Sequence, residues 1–69
     1  MRYAVLFEKT GTGYSAYVPD LPGCVAAGAT KEETAELMRG AIRMHLAGMR
    51  EDGDPIPEPS TIAGYITAA

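Results

Sequence analysis

Apolar and polar residues alternate along the first third of the chain and then switch to a helical period. Tyr3, Val5 and Phe7 fall on one side of a predicted strand running from Arg2 to Glu8, with Ala4 and Leu6 on the other. Lys9 to Gly13, KTGTG, reads as a glycine-containing hairpin loop. Tyr14 to Val18 makes a second strand, with Tyr14, Ala16 and Val18 on one face. Pro19 lacks an N–H and ends it. In Pro22-Gly23, proline presets φ for the second position of a type II turn and glycine supplies the positive φ of the third. Cys24 to Ala27 then forms a short third strand of small residues. The links are too short for a parallel crossover, so these strands form an antiparallel meander.

Thr30, followed three residues later by Glu33, has the form of a capping box. The helix it opens is predicted from Lys31 to about Asp52, stopping at Gly53. At 100° per residue, Ala35, Met38, Ile42, Leu46 and Met49 form one stripe, which is assigned to the sheet. A second, weaker stripe holds Leu37, Gly40, Ala41, Met44 and Gly48. A helix covering one sheet needs one apolar face, and each mid-helix glycine costs about 1 kcal/mol relative to alanine. The second stripe is therefore the candidate oligomer interface, with tolerated drift as the plain alternative. Asp54 to Ser60, DPIPEPS, should be extended and stiff. Thr61 to Thr67 reads as a fourth strand, Ile62 and Ile66 on one face and Tyr65 on the other. A right-handed crossover would set it parallel beside strand one. The expected fold is α+β, β-β-β-α-β, with sheet order 3-2-1-4 and the helix on one face.

Sixty-nine residues make one domain, 1–69, with little margin for a self-sufficient core. One cysteine and one histidine give neither an internal disulfide nor a structural zinc site, so self-association as a dimer or tetramer, or a partner subunit, is the leading inference. The net charge of −3 argues against binding dominated by nucleic-acid phosphates. No apolar run reaches the length of a membrane span, and no signal-peptide pattern opens the chain, so a cytoplasmic protein is expected.

Few residues invite chemistry. Gly11-Thr12-Gly13 leads into a strand and not a helix N-terminus, which suits a hairpin and not a phosphate cradle. Cys24 has no sequence sign of a base and reads as a small buried hydrophobe; His45, at the edge of the sheet-facing stripe, reads as half-buried. Arg39, Arg43 and Arg50 share an arc with Glu32 and Glu36, which favours a solvated, mutually paired face. Glu51, Asp52, Asp54 and Glu58 are more informative. Carboxylates at a helix C-terminus oppose the macrodipole by roughly 0.3–1 kcal/mol each, so recognition of a basic partner is weighed against ordinary solubilising charge. Their spacing matches no calcium loop, and neither metal nor cofactor is expected.

The central stretch resembles the HicB-like family, the antitoxins of HicA–HicB type II toxin–antitoxin systems. The similar features are the alternating N-terminal strand, Gly13-Tyr14 leading strand two, Pro19-Asp20-Leu21-Pro22-Gly23-Cys24, and Gly28, Thr30 and Glu33 opening the helix. An Ile56-Pro57-Glu58-Pro59 tail completes them, and Ala29 stands where the family pattern usually has aspartate. The resemblance implies a partly degenerate ribonuclease H-like fold and an oligomer that masks the active surface of a small basic mRNA-cleaving toxin. Asp20, Leu21, Glu51, Asp52, Asp54 and Glu58 are the candidate partner contacts. Many members add a DNA-binding domain; this chain ends at Ala69 without one, so direct DNA binding is not expected, and a toxin-less homo-oligomeric scaffold is the alternative. Two-metal hydrolysis needs several converging carboxylates. Strand one offers only Glu8 and strand four none, so no catalysis is expected.

Overall fold

The computed structural model describes residues 1–69. Three strands, β1 (Leu6–Lys9), β2 (Tyr14–Tyr17) and β3 (Val25–Gly28), precede one helix, α1 (Lys31–Asp52). The sheet is antiparallel in the order β1-β2-β3, with Phe7 opposite Ala16 and Ala16 opposite Ala26. The α+β class and the meander agree with the sequence pattern. Strand limits differ. Residues 2–5 do not pair: Tyr17 opposite Leu6 ends the ladder, Val18 turns its N–H and carbonyl to the β3 side, and the next residue that would face β1 is Pro19, which has no N–H to donate. The third strand starts at Val25, since the Cys24 N–H closes the turn onto the Leu21 carbonyl at 3.0 Å.

The helix begins and ends as its sequence signals require. The Thr30 side chain accepts from the Glu33 N–H at 3.0 Å, and the last turn closes at Gly53, whose N–H reaches the Arg50 carbonyl at 3.2 Å. Gly23 carries φ 85, the left-handed value a type II turn demands at that position. Gly28 serves another purpose: a Cβ there would lie 2.9 Å from Thr34 Oγ1, so only glycine lets the first helical turn sit this close to β3. Thr34, fully buried, donates from its hydroxyl to the Thr30 carbonyl at 2.7 Å. The helix lies over β3 and β2.

Ala16, Val18, Leu21, Cys24 and Met38 form the closed core, with Tyr3, Val5, Phe7, Ile42 and Leu46 packed half-buried around it. Only six of the 69 residues are buried. Stability at that size is a small difference between large terms, so each core side chain matters.

The fourth strand is the main correction. Thr61 to Thr67 forms no ladder here, and the 3-2-1-4 order of a ribonuclease H-like sheet is not present. Residues beyond Thr61 make no hydrogen bond to the rest of the chain, and a strand exists only with a bonded neighbour. The tail's course is fixed earlier. The Tyr3 hydroxyl donates to the Pro57 carbonyl at 2.5 Å. Asp20 then clasps the next turn: Oδ2 accepts from the N–H groups of Ser60 at 2.9 Å and Thr61 at 3.0 Å. Its Oδ1 accepts from the hydroxyls of Ser60 at 3.1 Å and Thr61 at 2.7 Å. This brings Thr61 beside Arg2, Tyr3 and Ala4, upstream of the bonded part of β1.

Three outcomes follow from this packing. Leu21→Ala empties the centre of the core and should lower unfolding stability by about 2–5 kcal/mol, measured by urea titration of helical circular dichroism. The backbone N–H groups of Thr61 and Ser60 lower the Asp20 pKa from the ordinary 3.8 to about 2. A depressed carboxylate stabilises fully above its unfolded value and loses that contribution as pH falls through its folded one. The clasp should therefore hold above about pH 4 and open towards about pH 2, seen as a Thr61 amide shift titrating near 2. Asp20→Ala removes both acceptor oxygens and should abolish amide protection at Ser60 and Thr61 at neutral pH while leaving α1 protected.

Candidate interaction site

The loop from Val18 to Cys24 is built by nested hydrogen bonds and sends adjacent side chains in opposite directions. Leu21 has no exposed surface and sits in the core. Asp20, its neighbour, holds Ser60 and Thr61. Of the expected partner contacts, these two are thus engaged within the chain, one by packing and one by hydrogen bonds. The Cys24 thiol lies 4.0 Å from Met38 Sδ in the core, and burial raises its pKa. A buried protonated thiol is a poor nucleophile.

Glu51, Asp52, Asp54 and Glu58 are all exposed. They cluster in sequence around the end of α1 and the proline run that follows. The chain's one ion pair joins Arg39 to Glu36 at 3.5 Å, one turn apart on the solvated face. No cation lies within salt-bridge distance of the four carboxylates, so their charge is open to solvent. Arg50 in the last turn complements the macrodipole, and the acidic residues around it oppose that dipole.

On the other side of the helix lies an open apolar cleft of about 650 Å³ between α1 and the turn that leads into β3. Gly23, Cys24 and Val25 form one wall, and Leu37, Gly40, Ala41, Met44 and His45 the other. Leu37 is 48% exposed, Met44 73% and Val25 64%. Gly40 and Gly48 face open space, with nothing within 4 Å of an added Cβ. Ala41 contributes to both surfaces, since it also packs against the core. The five residues of the second stripe thus sit on a surface that the chain itself does not cover, and His45 is half-buried at its rim.

No three His, Cys, Asp or Glu side chains converge. No helix is long and apolar enough to cross a membrane. Thr34, Ser60 and Thr61 are the residues that pattern reading missed. For Thr34 the signal was a threonine four positions after the Thr30 cap, beside a glycine-ended strand. For Ser60 and Thr61 there was none, because their acceptor is forty residues away.

Comparison with known proteins agrees with this architecture. The family described as HicB-like antitoxin of bacterial toxin–antitoxin system matches residues 3–69. An uncharacterized 14.9 kDa protein from the rep-hol intergenic region of Haemophilus phage HP1 is 41% identical over 66 residues, covering 96% of this chain and 50% of that protein. Antitoxin HicB 2 of Photorhabdus laumondii is 38% identical over 61 residues, covering 88% of this chain and 44% of that protein. The chain thus spans about half the length of these two relatives. A chain of a solved HicA3 and HicB3 toxin–antitoxin complex superposes with a TM-score of 0.74 at 30% identity, over 87% of this chain and 70% of that one. With a helix-capped antiparallel meander and a family match over residues 3–69, the chain belongs to the HicB-like antitoxin family.

Proposed function

We propose that this chain binds a small basic, HicA-like mRNA-cleaving toxin and neutralises it by covering its active surface. The observation that carries this reading is the unneutralised acidic group at the end of α1, on a fold that superposes on a chain of the HicA3 and HicB3 complex. An RNA-cleaving toxin must present cations to phosphate. Glu51, Asp52, Asp54 and Glu58 would draw that surface in and compete with RNA for it. Asp20 and Leu21 would act one step back, by fixing the loop and the proline run that carries Glu58. The cytoplasm is the compartment this reading assigns.

A second reading, a homo-oligomeric scaffold without a toxin, is favoured by a different observation: the uncovered stripe of Leu37, Gly40, Ala41, Met44 and Gly48 beside the α1–β3 cleft. Small residues there would let a second helix backbone approach closely.

The two readings part in an inhibition assay. A HicA-like toxin encoded beside this gene should lose RNA cleavage on addition of the chain. Reversing Glu51, Asp52, Asp54 and Glu58 to lysine should slow association by about tenfold or more at low ionic strength, a gap that narrows in high salt. Unchanged association after reversal would remove the electrostatic account. No inhibition by the unaltered chain would leave the scaffold reading.

A further inference from the structure

The proline run after α1 is held to the fold at three points. The Asp54 N–H closes onto the Met49 carbonyl at 2.9 Å. Three residues on, the Pro57 carbonyl accepts from the Tyr3 hydroxyl at 2.5 Å. Asp20 then takes the N–H groups and hydroxyls of Ser60 and Thr61. Between the second and third anchors lie only Glu58 and Pro59. The rings of Pro57 and Pro59 fix φ at about −65°, and both residues are half-buried, whereas Glu58 is exposed. Glu58 is thus a solvent-facing carboxylate on a backbone with little freedom left to lose.

We infer that Tyr3 and Asp20 are positioning residues for Glu58, holding it for a charge-assisted hydrogen bond to a guanidinium or ammonium group of the basic partner. Two observations assign the anchors this task. The Tyr3 ring packs against the core, which phenylalanine would do equally well, so the hydroxyl serves only the proline run. The Asp20 clasp makes four hydrogen bonds, yet nothing beyond Thr61 is bonded to the chain, so what it fixes is the stretch before it. Binding to a mobile segment costs the entropy of ordering it, and a segment fixed beforehand avoids that cost. Within the toxin reading, on which this role rests, the acidic group then acts twice. Long-range attraction depends on the number of charges and hardly on their exact placement, so all four carboxylates share it. A charge-assisted hydrogen bond depends on placement, so the anchors act through Glu58 in the docked complex and show in its dissociation.

The experiment measures association and dissociation of the chain with the HicA-like toxin encoded beside its gene. Glu58→Gln, and separately the loss of both anchors in Tyr3→Phe with Asp20→Ala, should each speed dissociation about tenfold. The three changes together should do hardly more, because an unheld Glu58 has little left to contribute. Tyr3→Phe alone keeps the ring and every charge; it should speed dissociation about threefold and leave the association rate unchanged. In the free chain, 15N relaxation should find the Glu58 amide as ordered as α1 and disordered once both anchors are removed, with helical circular dichroism retained. Additive effects of the anchors and Glu58, or a Glu58 amide equally ordered without them, would overturn the positioning role and leave the toxin reading standing. A chain that does not bind the toxin would overturn both, and the inhibition assay shows that before any variant is made.

Discussion

The constraint on which this structure rests is the insertion of Leu21 beneath the helix. A meander of four-residue strands presents too little apolar surface to hold a 22-residue helix alone. Residues 18–24 solve this by turning inward between β2 and β3, with Val18, Leu21 and Cys24 delivered to Met38 from one loop. The turn must be tight to do so, which requires Pro22 before a glycine at φ 85. The core then consists mainly of loop and helix, and the sheet contributes one fully buried residue, Ala16. What the loop gives to the core it takes from the sheet. With Pro19, which has no N–H, at the next position that would face β1, residues 2–5 have no ladder partner and β1 is confined to Leu6–Lys9.

Features set by near neighbours were legible in the sequence, and features set by distant ones were not. The Thr30 cap, the Gly53 stop, the hairpin and the Leu21–Cys24 turn each depend on residues within a few positions, and each lies where its local chemistry puts it. The sheet-facing stripe of α1 was equally readable, because a helical period is a property of the segment itself. The segment from Thr61 to Thr67 shows the limit. Its alternation is that of a strand, but strand formation belongs to a pair, and no pattern within the segment says whether a bonded neighbour will be present. The Asp20 clasp lay out of reach for the same reason. Of the candidate site, the acidic group and the second stripe stood on the surface as their exposure pattern suggested. Asp20 and Leu21 are engaged within the chain, Leu21 because the turn folds inward and Asp20 because it holds Ser60 and Thr61.

The charge arrangement adds a separate argument. A helix C-terminus carries partial negative charge, and Glu51 and Asp52 stand within its last turn with no cation in salt-bridge contact. Arg50 and the closing hydrogen bonds at Gly53 hold the helix end against that repulsion. The unfavourable field persists in the isolated chain and would be relieved by any cationic surface brought against it. Electrostatics of this kind act mainly on how fast and with whom a protein associates, and less on how tightly a fold is held.

Fold stability and association are therefore one problem here. With six buried residues, exposed Leu37, Met44 and Val25 on one side and Ile62, Tyr65 and Ile66 on another, the chain leaves uncovered more large apolar side chains than it buries. Covering any of these surfaces removes apolar area from water without asking the core to reorganise. Whatever binds the folded form and not the unfolded one adds its binding free energy to a small intrinsic stability. The Asp20 clasp gives this coupling a direction. By fixing Ser60 and Thr61 against the loop that also supplies Leu21, it joins the origin of the exposed tail to the centre of the core. Ordering the tail from outside would then steady the loop, and a loosened core would release the tail.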